Sequence, residues 1–205
     1  MSPDTLRLSL RHVGVALRDP EDFAARWHRR EANYALAIWI ALGVTAAAGT
    51  ACYGMTMGMG QGSGAVVQKA ALLTLAAGLA WAIPLPALYI LNSLLGSQLK
   101  LTTTLLAALV TTSWGGLALL ASVPISWFFA VAVPELPALD PPLVRHIILG
   151  INVLVFTGVG VSMVDVFGRV MSRLEPRSGR WPTWYLALVG LIGAQLFYLF
   201  GLFAI

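Results

Sequence analysis

LTTTLLAALVTTSWGGLALLASVPISWFFAVAV, residues 101–133, runs for 33 positions without an acidic, basic or histidine side chain. A helix apolar on every side needs an apolar solvent, either a large protein core or a lipid bilayer. At about 1.5 Å per residue, this stretch would reach about 50 Å as one helix, against a hydrocarbon core of about 30 Å. It is therefore too long for one straight crossing. Pro124 offers a break, because proline removes a backbone donor and crowds the preceding turn. The sequence predicts a span ending near Ser122, followed by a short aromatic segment, Ile125–Val133, lying at the outer interface. A single, strongly tilted helix is the alternative.

Four more apolar stretches flank this one, at about Tyr34–Met55, Ala70–Leu95, Ile147–Phe167 and Trp184–Ile205. Each is close to the length of about 20 residues that crosses a bilayer. The composition agrees: 58% of the 205 residues are hydrophobic and 11% charged, where a soluble domain carries about 25% charged residues. The expected fold is all-α, a polytopic membrane bundle of five transmembrane helices. Residues 1–31 form a polar N-terminal segment and residues 32–205 the five-span domain. Pro84 and Pro86 must kink the second span, and Gly58 to Gly64 reads as a glycine-rich outer link.

Charge orients the bundle. Arg7, Arg11, Arg18, Arg26, Arg29 and Arg30 precede the first span, Lys100 follows the second, and Arg169, Arg173, Arg177 and Arg180 follow the fourth. Only Lys69 and Arg145 fall on the other side. Short loops rich in Lys and Arg stay cytoplasmic, so the N-terminus is expected inside and the C-terminus outside. The same pattern accounts for the net charge of +4 without a nucleic-acid partner. No continuous apolar run occupies residues 1–30, so the first span is expected to act as an uncleaved signal-anchor. Ser2-Pro3 starts a helix on which Leu6, Leu10, Val13 and Leu17 share a face bordered by arginines. Such a helix is expected to lie in the headgroup plane, in contact with membrane lipid. Asp19-Pro20 starts a second helix with Asp22 at the capping-box position, and Phe23 and Trp27 lie four residues apart on it. Packing of the segment on a protein partner is the alternative.

Lipid gives helices little hydrophobic reason to associate, so small residues and hydrogen bonds must do it. Gly43, Ala47, Thr50 and Gly54 form a small stripe on the first span. Thr104, Ala108, Thr111, Gly115, Ala118 and Ser122 form one on the third, and Gly158, Ser162, Asp165 and Arg169 on the fourth. Ala187, Gly190, Ala194 and Gly201 form one on the fifth. These faces serve packing within the bundle or contacts in a homo-oligomer. Asn152 and Gln195 are single amides in apolar surroundings, expected to bond between helices.

Chemistry-bearing groups are few. Asp165 is the one acid within an apolar span, and ionisable residues there are costly and often functional. Arg169 lies four residues on, where an ion pair can form, and Lys100 enters from the same side. Tyr89 and Asn92 follow the double-proline kink, and a broken helix is one way a transporter builds a site at membrane depth. Together Asp165, Arg169, Lys100, Tyr89 and Asn92 outline a possible ion or substrate pathway. Cys52, Met55, Met57 and Met59 gather sulfur at the outer end of the first span, a ligand set that suits Cu(I). With one cysteine, no intramolecular disulfide can form. His12, His28 and His146 are dispersed without metal-ligand spacing. No phosphate loop, serine elbow or cofactor motif is found, so no cofactor and no catalytic residue is assigned.

The stretches Leu85-Pro86-Ala87-Leu88-Tyr89-Ile90-Leu91-Asn92 and Ile151-Asn152-Val153-Leu154-Val155-Phe156 look similar to those of uncharacterised bacterial membrane proteins of this size. Over residues 34–205 the architecture resembles the Yip1-type five-span membrane proteins. That resemblance implies a role in membrane organisation through protein partners, with no active-site residues. The expected function is therefore a non-enzymatic subunit of the inner (cytoplasmic) membrane that self-associates or joins a larger membrane complex. A small transporter or ion channel, with its polar site in the cytoplasmic half of the bundle, is the alternative.

Overall fold

A computed structural model of the chain describes residues 3–31, 34–59, 61–94, 96–134, 140–175 and 184–202, without the side chains of 3–10, 91–92, 184–186 and 188. The described residues form helices and turns, with no strand among them. In order the helices are α1 (Pro3–Arg18), α2 (Pro20–His28), α3 (Leu36–Gly58), α4 (Ser63–Ala82), α5 (Pro84–Leu94), α6 (Leu101–Ala132), α7 (Pro141–Leu174) and α8 (Trp184–Leu199). Four helical stretches are long and apolar enough to cross a membrane: Leu36–Gly58, Ser63–Ile90, Leu101–Ala132 and Pro141–Leu174. The fifth apolar helix, α8, has 16 residues, shorter than the roughly 17–25 of most spanning helices.

Local chemistry sets most of the boundaries. Asp19 caps α2, its carboxylate accepting the Asp22 N–H at 3.0 Å, and Pro20 takes the first helical position. The chain breaks at Ile83, because Pro84 and Pro86 have no N–H to offer the turn before them; Pro84 instead opens α5, where its missing donor costs nothing. α3 stays helical through Gly58, so the outer link is shorter than the glycine spacing suggests, and α4 begins at Ser63. Gly201 (φ 60°) closes α8: its N–H donates to the Tyr198 carbonyl and the Leu202 N–H to the Phe197 carbonyl, each at 3.0 Å.

Pro124 does not end its helix. α6 runs unbroken for 32 residues, which corrects the expected stop near Ser122 and the separate interfacial segment. The proline removes one backbone bond, but the residues beyond it are held from outside. Two positions on, buried Ser126 accepts from the Thr56 hydroxyl at 3.2 Å and donates to Asn152 at 3.3 Å. Those contacts with α3 and α7 hold the last turns in line.

α3 lies at the centre, between α4 and α6. Its glycines make that position possible. A Cβ on Gly49 would strike the Gly116 backbone, and one on Gly116 would stand 2.7 Å from the Ala46 carbonyl oxygen. A Cβ on Gly54 would stand 2.7 Å from the Ala70 Cα. Ser113 adds a bond across the α3–α6 seam, donating to the Leu42 carbonyl at 2.7 Å. α7 packs against α6 and α2, and α8 against α4 and α5. Lys69 on α4 is buried, and its ammonium donates to the Gly201 and Leu202 carbonyls at 2.7 and 3.1 Å. A cation at the carbonyl end of a helix is favourably placed, and the bonds set the last turn of α8 beside the first turns of α4.

The N-terminal helices pack on the bundle. Val13, Ala16 and Phe23 are buried with Tyr34, Ile38, Leu42, Leu106 and Val110. This part of the apolar stripe is thus closed by protein rather than open to lipid. The Phe23 and Tyr34 rings stack at 4.1 Å, and the Tyr34 hydroxyl donates to the Phe23 carbonyl at 3.0 Å. Burial raises the Tyr34 phenol above its ordinary value of 10.0; nearby Arg26 lowers it and Asp22 raises it further.

Candidate functional site

Two polar groupings and one large cavity stand out. The first grouping is a buried network joining three helices. The Tyr53 hydroxyl on α3 donates to Asn152 Oδ1 on α7 at 2.8 Å, and Ser126 on α6 donates to the same oxygen. Asn152 Nδ2 donates to the Ile148 carbonyl at 3.0 Å, and Thr56 donates to the Tyr53 carbonyl at 2.7 Å. All four side chains are buried. Asn152 therefore bonds between helices as expected of a buried amide. Gln195 differs: it is exposed on α8. Tyr53, Thr56 and Ser126 gave little signal in the sequence, since each is a lone hydroxyl among apolar neighbours.

The second grouping is charged. Arg169 Nε lies 3.2 Å from Asp165, one helical turn away, and Arg169 Nη1 lies 3.5 Å from Glu21 on α2. The Asp165 side chain is 66% exposed, on the outside of the bundle. No ion pair joins Lys100 to Asp165 among the described residues. Tyr89 is half-buried and lines a separate groove between α5 and α6. The structure thus brings Asp165, Arg169 and Glu21 together and leaves Tyr89 in that groove. The Asn92 side chain lies outside those described, as do Arg177, Arg180 and Trp181.

The cavity opens between α3, α4, α6, α7 and α8, with a volume of about 1160 Å³. Among the described residues, no acidic, basic or histidine side chain lines it. Three of its four threonine hydroxyls bond to their own helices: Thr50 donates to the Ala46 carbonyl at 3.0 Å, Thr74 to that of Ala70 at 2.9 Å and Thr112 to that of Leu109 at 3.0 Å; Thr157 is the fourth. The groove at Tyr89, of about 370 Å³, shares Ala82, Leu85 and Leu105 with the cavity and ends at Leu101.

The small-residue stripes divide between contact and gap. Thr111 and Gly115 are buried, and a Cβ on Gly115 would meet the flexible Met163 side chain. Ser122 is half-buried and bonds back to the Ala118 carbonyl at 2.9 Å. Gly158 and Gly190 have no atom within 4 Å of a would-be Cβ, so neither is a close-approach position within this chain. Gly190 and Ala194 line the cavity instead, while Gly158 is exposed and Ser162 half-exposed on α7.

Met57 departs from the other sulfur residues. Because α3 is helical through Gly58, Met57 is rotated about 200° from Met55; it packs near Tyr53 and Leu73. Met55 and Met59 are exposed, and Cys52 is half-buried. No group of three or more His, Cys, Asp or Glu side chains with metal-binding geometry occurs among the described residues. Compared with known proteins, the chain matches no family model, no curated protein and no solved structure.

Proposed function

We propose that the chain is a five-span protein of a bacterial-type inner membrane that acts as a non-enzymatic subunit, assembling with itself or with a larger membrane complex. The observation that carries this reading is the open face of α7. Leu154, Gly158, Val161 and Asp165 recur at helical spacing and are all exposed. Almost none of the most apolar window of α7 is buried in the bundle. In lipid an exposed carboxylate beside such a face is costly, and small residues next to it admit a neighbouring helix. A protein partner on this face would cover the apolar side chains and shield the Asp165–Arg169 pair. The cavity favours this role over ion transport, since none of the described residues in its walls is charged.

Five crossings are favoured by the course of α8, whose last turn meets the start of α4. The N-terminus inside is favoured by the distribution of Lys and Arg. The test of assembly is the particle released by mild detergent from membranes at native expression. Light scattering after gel filtration should show more than one chain, either copies or a partner. Gly158→Phe should shift the particle towards a single chain with its helical content unchanged, because no atom of the described residues lies within 4 Å of a Cβ there. A lone monomer for the parent protein contradicts the reading.

A further inference from the structure

We propose that the cavity between α3, α4, α6, α7 and α8 binds one anionic phospholipid, with its acyl chains inside and its phosphate at Lys100. Three observations converge on this occupant, whether or not the chain assembles with a partner.

The first is size and lining. The cavity of about 1160 Å³ exceeds the roughly 300–1,000 Å³ of most small-molecule sites. Three of its four threonine hydroxyls are already bonded to their own helices, so the wall presents mostly hydrocarbon. An apolar cavity does not hold water well, and an empty one forfeits packing along every helix that lines it. Hydrocarbon chains fill such a space without leaving a polar group unpaired.

The second is open room at lining glycines. Gly43, Gly78, Gly160 and Gly190 have no atom within 4 Å of a would-be Cβ. Backbones are brought together at Gly49 and Gly54, outside the lining, and at Gly116, within it. The four open glycines instead widen the cavity.

The third is the exit. The groove past Tyr89 leads from the shared residues Leu85 and Leu105 to Leu101, beside Lys100. Lys100 is exposed and precedes the first turn of α6, a helix start with no side-chain cap. Cation and helix dipole both favour a negative headgroup at this end. A zwitterionic lipid would gain less there, and a helix from a second copy would leave the Lys100 end without a counter-charge.

The test is photolabelling of the full chain in liposomes with phosphatidylglycerol bearing a diazirine at the end of one acyl chain. Mapping to single residues should place the label on the cavity lining, such as Gly78, Trp81 and Leu85 or Gly160, Met163 and Val164. Lys100→Gln should lower this labelling about fivefold, the worth of one basic residue near an anionic headgroup. Gly78→Leu combined with Gly160→Leu should abolish it by filling the space, with helical content as the control for folding. Label confined to exposed residues off the cavity, such as Leu154 and Leu191, in the parent protein would overturn the proposal, and so would equal cavity labelling by the phosphatidylcholine analogue. The map of the parent protein decides the matter even if the filled variant does not fold.

Discussion

Glycine has two opposite uses in this chain, and only the positions of neighbouring atoms separate them. At Gly116 an added Cβ would stand 2.7 Å from the Ala46 carbonyl oxygen, a backbone atom that cannot swing aside. Gly116→Ala should therefore cost about 1–3 kcal/mol by overpacking. At Gly78 nothing lies within 4 Å, so Gly78→Ala should gain about 0.5–1 kcal/mol from reduced backbone freedom. Unfolding by a denaturing detergent, followed by circular dichroism, should move in opposite directions for the two. The sequence could not separate them, because a small residue reads the same whether it admits a helix or leaves a gap. The Asp165–Arg169 pair was legible from its four-residue spacing, whereas the approach of Glu21 was not, since 148 positions separate it from Arg169. The buried network allows a graded test. Tyr53→Phe leaves Asn152 with Ser126 as a donor, while Asn152→Ala strands both Tyr53 and Ser126. Buried groups left unpaired cost about 1–3 kcal/mol, so Asn152→Ala should destabilise more than Tyr53→Phe in the same assay. Equal losses would argue that the two donors do not share the amide oxygen.

At the scale of elements, apolar length and proline position carried most of the fold. The break before Pro84 was legible because two prolines in one turn remove donors that no neighbour replaces. The continuity of α6 through Pro124 was not, because Thr56 and Asn152, which hold its last turns through Ser126, lie on other helices far away in the chain. The docking of α2 followed the same rule. The arginine-bordered face of α1 suggested a lipid surface, yet α2 beside it buries Phe23 against Tyr34, within a cluster that includes residues of α3 and α6. Apolar contact should hold α2 more firmly than its ion pairs do. Phe23→Ala should cost about 3–5 kcal/mol. Glu21→Ala should change stability by less than about 1 kcal/mol, since the pair with Arg169 is open to solvent. Protease sensitivity of residues 3–31 in detergent checks the order: release after Phe23→Ala alone is expected, and release after Glu21→Ala alone would reverse the assignment.

For the molecule as a whole, four helical stretches have the length and apolarity to cross a membrane, and the reading of the other properties depends on whether α8 is the fifth. Charge counting suggested an odd number of crossings, and the Lys69 bonds set the end of α8 beside the start of α4. An odd number puts the termini on opposite sides; four crossings put them on the same side. Lys100 and Asp165 lie on the side of the N-terminus in either case, after two and four crossings. The direct measurement is labelling of intact cells by a membrane-impermeant maleimide, using Ser2→Cys and Ala204→Cys separately in a Cys52→Ser background. Five crossings predict that the cysteine at position 204 reacts from outside and the one at position 2 only after the membrane is opened. Reaction of both positions from the same side would contradict the account.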